Sequence, residues 1–167
     1  MTTTIKTREG GEIAAQPRRR YADDLDGWVE DQIALLKAGR LSEIDTDNIA
    51  EELSDVGNEQ YDKLQSAIRV VLLHLLKWDH QPERRSRSWV GSIVEQRRRV
   101  ARVLKKNPSL KPHIAEAILE AYEDAQTDAA VETNLREDQF PKDCPYSWED
   151  ILDRVVVLDD LQSPRKR

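Results

Sequence analysis

"YDKLQSAIRVVLLHLLKW" spans Tyr61 to Trp78, and its reading decides the fold. Tyr61, Leu64, Ile68, Val71, Leu75 and Trp78 are spaced 3-4-3-4-3, the interval at which side chains return to one side of an α-helix. From Ile68 onward the opposite side also carries Leu72, Leu73 and Leu76. A helix apolar nearly all round is covered nearly all round, so this stretch predicts a buried central helix. Pro82 ends or kinks it, because proline lacks an amide N–H and pushes Gln81 toward extended backbone.

Outward from this helix the same period recurs. Leu25, Trp28, Val29, Gln32, Ile33 and Leu36 predict a helix over Tyr21–Gly39. Asp23, Asp24 and Asp26 lie in its first turn, where the helix dipole favours negative charge, and Gly39 suits the left-handed residue that ends a helix. Asp45 is an N-cap for a second helix, with Ile49, Leu53 and Val56 as its buried face and Gly57 as a point of bending or breakage. After Pro82, Ser86 or Ser88 caps a helix that runs to Lys106 with Trp89, Ile93, Gln96, Val100, Val103 and Leu104 inward. Ile114, Ala117, Ile118, Ala121, Tyr122, Ala125 and Ala129 form a further stripe ending near Asn134, and its alanines allow close helix contact. "FPKDCPYSWED", from Phe140, is extended by its two prolines, and Ser147 caps a short last helix. "VVVL" at Val155–Leu158 is the one stretch with strand character. The pattern predicts an all-α, single-domain bundle of four to five helices over residues 21–158. It is flanked by a disordered tail at 1–20 and a polar tail at 159–167.

The 167 residues suffice for one real core. Cys144 is the single cysteine, which excludes an intramolecular disulfide. No apolar run reaches membrane-spanning length, and no apolar segment follows the N-terminal charges, so a soluble cytoplasmic protein is expected. The net charge of −6 argues against a general nucleic-acid binder. That average hides a segregation. Glu83–Lys106 holds nine Lys/Arg against two Glu, or +7; Ala22–Asp62 holds two against thirteen, or −11; Ala121–Asp153 holds two against ten, or −8. The simplest account is one basic helix packed among acidic ones. The alternative is a basic strip that binds nucleic acid, with Arg84, Arg87, Trp89 and Arg97 as the contacting residues.

Five segments taken together resemble a bacterial family: "YADDLDGWVEDQIALLKAGR", "DTDNIAEELSDVG", "LLHLLKWDHQPERRSRSWVGSIVEQRR", "NPSLKP" and "FPKDCPYSWEDIL". They are similar to the family called domain of unknown function 29, over roughly Tyr21 to Val156. The run from His74 to Arg97 is the most specific part, and the pair Asp79–His80 departs from the family's usual residues. The resemblance implies an α-helical bacterial protein and brings no activity with it.

Polar residues that the helical period places inward are where function is sought, because each buried polar group needs a partner. Glu52, His74, Gln96 and Glu132 are four such residues, one per predicted helical stripe. Together they would make an acid–base site, or a metal site with Glu52, His74 and Glu132 as ligands. Against a metal, neither Glu-x-x-His nor His-Glu-x-x-His occurs, and no cofactor is expected. The plainer account is a buried hydrogen-bond network, with His74 held by a carboxylate or a backbone carbonyl. Asn48, Glu51, Glu52 and Asp55 form an acidic edge expected to pair with Arg84, Arg87 or Arg97. Lys77 and Asp79 are expected to point to water, and His80 to sit at the helix end. Nothing places a base beside Cys144, so its thiol reads as inert. No P-loop, dinucleotide loop or nucleophile elbow occurs. These features favour a non-enzymatic protein-interaction or regulatory module that binds a protein partner or itself. The alternatives are an enzyme built on the four inward polar residues and nucleic-acid binding through 84–106.

Overall fold

The computed structural model describes residues 19–158. The tails expected at 1–20 and 159–167 lie, but for Arg19 and Arg20, outside the described residues. The chain is all-α. Its helices are α1 (Leu25–Lys37), α2 (Thr46–His80), α3 (Arg87–Lys106), α4 (Ile114–Thr133) and α5 (Trp148–Asp153). Val155–Leu158 is irregular, and no strand occurs among the described residues. Contacts group the chain into two compact units, residues 1–53 and 54–167.

In the first unit α1 starts at Leu25 rather than at the expected Tyr21, because the Asp24 carboxylate accepts from the Gly27 amide at 2.9 Å and caps it there. The helix ends at Ala38–Gly39, with Gly39 at φ 71°. Trp28, Gln32 and Leu35 are buried. Gln32 is polar yet placed inward for a reason. Its Oε1 accepts from the Asp45 amide at 2.8 Å, while Trp28 Nε1 donates to the Asp45 carboxylate at 3.2 Å. Asp45 in turn accepts from the amide and side chain of Asn48 and caps α2. The apolar stripe departs from expectation: Leu25, Ile33, Leu36 and Leu53 are exposed, as is Val56 at the start of the second unit.

In the second unit the central stretch behaves as its spacing predicts. Leu64, Ile68, Val71, Leu72, Leu75 and Leu76 are fully buried. Removing one such leucine side chain costs about 2–5 kcal/mol. The facing surfaces are Ile93 and Val100 of α3, Ala117, Ala121, Ala125 and Ala129 of α4, and Ile151 of α5. The four alanines are wholly buried, so α4 presents a smooth face to its neighbours. Gly57 does not break α2, which runs 35 residues without interruption. Pro82 does stop it and opens a 3-10 turn over Pro82–Arg84. Ser86 caps α3 by accepting from the Trp89 amide. Asn134, at φ 58°, ends α4 in the left-handed conformation. Ser147 and Asp150 cap each other at the start of α5.

Candidate functional site

The inward polar residues have separate partners. In the first unit the Glu52 carboxylate accepts from the Tyr21 hydroxyl at 2.8 Å. In the second unit His74 Nδ1 lies 2.8 Å from the Val70 carbonyl, one turn back on its own helix. A carbonyl only accepts, so Nδ1 carries the proton. Burial pushes the imidazole below its usual range, with the Val70 bond opposing and the nearby Lys77 charge adding to the fall. Glu132 accepts from Lys77 Nζ at 2.5 Å. The Lys77 ammonium also lies 4.6 Å from the centre of the Trp89 ring. His74, Lys77 and Glu132 thus share one neighbourhood, but His74 and Glu132 bond elsewhere. The Gln96 Oε1 atom is buried and has no partner. Among the described residues no group of three or more His, Cys, Asp or Glu side chains could hold a metal ion. The metal set Glu52, His74 and Glu132 is therefore not assembled. Helical period places a residue on the inward side of its helix. It does not say which height or which partner the side chain meets.

The basic segment is partly committed to the fold. Arg97 donates Nε to the Ile151 carbonyl at 2.7 Å, Nη1 to that of Arg154 at 2.8 Å and Nη2 to that of Asp150 at 2.9 Å. It clamps the C-terminal end of α5 rather than an acidic edge. Arg85 donates to the Trp78 carbonyl and lies over the Trp78 ring. Trp89 packs partly buried against the core beneath Lys77. Arg84 and Arg98 are exposed, as is Arg87, which has a partner of its own.

What the first unit leaves open is apolar. Val29, Ile33 and Leu36 of α1 and Ile49 and Leu53 of α2 line a groove of about 210 Å³ floored by Trp28. Ile33 is 44% exposed, Leu36 47% and Leu53 67%. One carboxylate, Glu52, stands in the groove wall, and Glu30, one turn before Ile33 on α1, is paired with Arg19 at 3.1 Å. The basic residues near the end of α1 are Lys37 and Arg40, and Arg40 is tied to Glu43 at 2.6 Å. Sequence pattern names these apolar residues correctly but assigns them to the interior.

A family model described as Domain of unknown function DUF29 matches residues 20–156. The chain belongs to this family. No curated protein and no solved structure matches it. The match spans all five helices of this DUF29 chain and supplies no substrate or partner. Among the described residues no helix is long and apolar enough to cross a membrane.

The DUF29 chain also contains a polar cluster that spacing does not reveal. Asp79, expected to face water, takes both η-nitrogens of Arg154, at 2.6 and 2.8 Å, and the Tyr146 hydroxyl at 2.9 Å. Burial alone would raise the Asp79 carboxyl, but the Arg154 fork and the Tyr146 bond outweigh it and hold the group below the usual carboxylate range. Burial first, and then the Asp79 charge, push the Tyr146 phenol well above its ordinary value. Lys77, also expected in water, is 7% exposed. Cys144 is half-buried, and burial raises its thiol, opposed by a weak bond to the Tyr146 carbonyl. A raised thiol is a poor nucleophile at neutral pH, in keeping with an inert cysteine.

Proposed function

We propose that this chain is a protein-interaction module whose α1–α2 groove receives a basic amphipathic helix of a partner protein. The observation that carries the reading is the exposed row Ile33, Leu36 and Leu53 around a groove with Glu52 in its wall, in a stretch of sequence rich in acids. Side chains of this size at helical spacing are ordinarily buried, and contiguous apolar surface left in water marks contact sites. An amphipathic helix laid into such a groove buries its apolar face, and its lysines and arginines meet the rim. A second copy docking face to face would bring the two Glu52 carboxylates together, which opposes it. A catalytic reading has less support, since Glu52 bonds to Tyr21, His74 to the Val70 carbonyl and Glu132 to Lys77, and none of these bonds joins two of the four.

The test uses a synthetic helical peptide of leucine and lysine at i, i+3, i+4 and i+7 spacing, and a control of equal charge with the leucines scattered. Fluorescence anisotropy of the labelled peptides against the full chain is the readout. The patterned peptide should bind at least tenfold more tightly than the control, and Leu36→Asp with Leu53→Asp should remove that difference. Equal binding of the two peptides, or binding unchanged in the double variant, overturns the proposal. Analytical ultracentrifugation of the wild type reads the other occupant. A dimer dispersed by the same two substitutions replaces the partner helix with a second copy.

A further inference from the structure

Gln60 and Lys63 of α2 and residues 95–106 of α3 enclose a cleft of about 380 Å³ in the second unit. That volume lies within the range of small-molecule sites. Its lining carries Lys63, Arg99, Arg102 and Lys106 against one carboxylate, Glu95, a balance of four to one. Lys63 is paired to Glu59 at 2.8 Å and Arg102 to Glu95 at 3.3 Å. Arg99 and Lys106 have no carboxylate partner among the described residues. Arg99, Arg102 and Lys106 stand at i, i+3 and i+7, so three cations share one face of α3. Like charges at that spacing weaken a helix, and within the fold nothing neutralises two of them.

The second observation is the Gln96 carboxamide. It lies one turn before Arg99 on the same face, lines the same cleft, and its Oε1 is buried with no hydrogen-bond partner. A buried acceptor without a donor is costly. The cleft therefore offers charge to a dianion, and a turn of the Gln96 side chain brings its unpartnered acceptor to a hydroxyl beside it. We propose that it binds a small phosphate ester whose phosphate lies between Arg99 and Lys106 and whose hydroxyl donates to Gln96. The guanidinium fork of Arg99 matches two phosphate oxygens, and Lys106 supplies a point charge. A nucleic-acid strand fits less well. Glu59 and Glu95, beside the cleft, repel a phosphate that continues along a backbone. This site is independent of the α1–α2 groove.

Isothermal titration of the full chain at fixed ionic strength tests it, with glycerol 3-phosphate and methyl phosphate as probes. Both carry the dianion, and only the first carries free hydroxyls. Glycerol 3-phosphate should bind saturably and severalfold more tightly than methyl phosphate. Arg99→Ala with Lys106→Ala should weaken both by about tenfold or more. Gln96→Leu should abolish the difference between the probes and leave methyl phosphate binding unchanged. Circular dichroism checks that each variant is folded, and the exposed alanine variants keep the test open if Gln96→Leu misfolds. Absence of saturable binding overturns the proposal, as does binding indifferent to Arg99 and Lys106. So does a single-stranded oligonucleotide that outcompetes glycerol 3-phosphate through the same residues, which would make the cleft part of a strand path.

Discussion

Asp79, Tyr146 and Arg154 show what single residues contribute. The Asp79 side chain is 29% exposed and the Arg154 side chain 32%. Solvent screens such a pair, so it is worth less than a buried one. The bidentate geometry and the added phenol bond lift it above an ordinary surface contact. Asp79→Asn should destabilise the protein by about 1–2 kcal/mol at neutral pH. The native carboxyl sits below its ordinary value. Its stabilisation is therefore present above the ordinary carboxylate range, near pH 4, and is lost as pH falls through the lower native value. Urea unfolding at pH 7 and pH 3 should show a wild-type advantage at the first that shrinks at the second. An advantage independent of pH would show that the carboxylate charge is not the stabilising feature. This cluster was not readable in advance. Asp79 lies 67 residues from Tyr146 and 75 from Arg154, and no local period couples such distant positions. Asp45 and Ser147 are readable, and Ser86 as one of two candidates with Ser88, because a cap acts within its own turn.

At the scale of elements, spacing locates every α-helix and misplaces some of their faces. The stretch over Ile68–Trp78 is apolar on so many sides that any rotation buries it. α1 and the start of α2 are apolar on one narrow side, and their period does not reveal whether this chain supplies a cover. Polarity also misleads at Gln32, which is buried because it binds the Asp45 amide. α5 is the clearest case of an element held from elsewhere. It has six residues, too few to persist alone. Arg97 satisfies carbonyls at its C-terminal end, where helical carbonyls otherwise lack donors. Arg97→Met keeps the aliphatic stem and removes the donors. It should cost about 1–3 kcal/mol and speed amide exchange in residues 148–153 more than in α2. Unaltered α5 protection in hydrogen-exchange mass spectrometry would mean that Ile151 alone docks the helix.

At the scale of the whole molecule, the segregated charge has two uses. Part of it joins helices of the second unit: Arg69 to Asp124 and Asp128, and Lys77 to Glu132, both between α2 and α4. These pairs draw their cations from α2 and not from the basic segment that the simplest account packs among acidic helices. On α3, Arg97 holds α5 and Arg102 pairs with Glu95, while Arg99 and Lys106 are the cations of the proposed phosphate site. The core is also unevenly shared. Its buried apolar cluster runs from Leu64 to Val156 and lies within residues 54–167. Residues 54–167 expressed alone should therefore keep a helical circular dichroism spectrum and one cooperative thermal transition. A broad transition without cooperativity would show that the second unit depends on the first.

Lys77 carries a consequence of a different kind. It is the one buried lysine among the described residues, with its ammonium against Glu132 and over the Trp89 ring. Acylating reagents must reach the amine, and here the Glu132 carboxylate, the Trp89 ring and the surrounding core cover it. Exposed lysines such as Lys37, Lys105 and Lys142 react from the native state. Lys77 reacts from the fraction of molecules in which α2 and α4 have parted. The rate at which it is acylated is thus a clock for that separation, built into the chain and readable by peptide mass without any engineered probe.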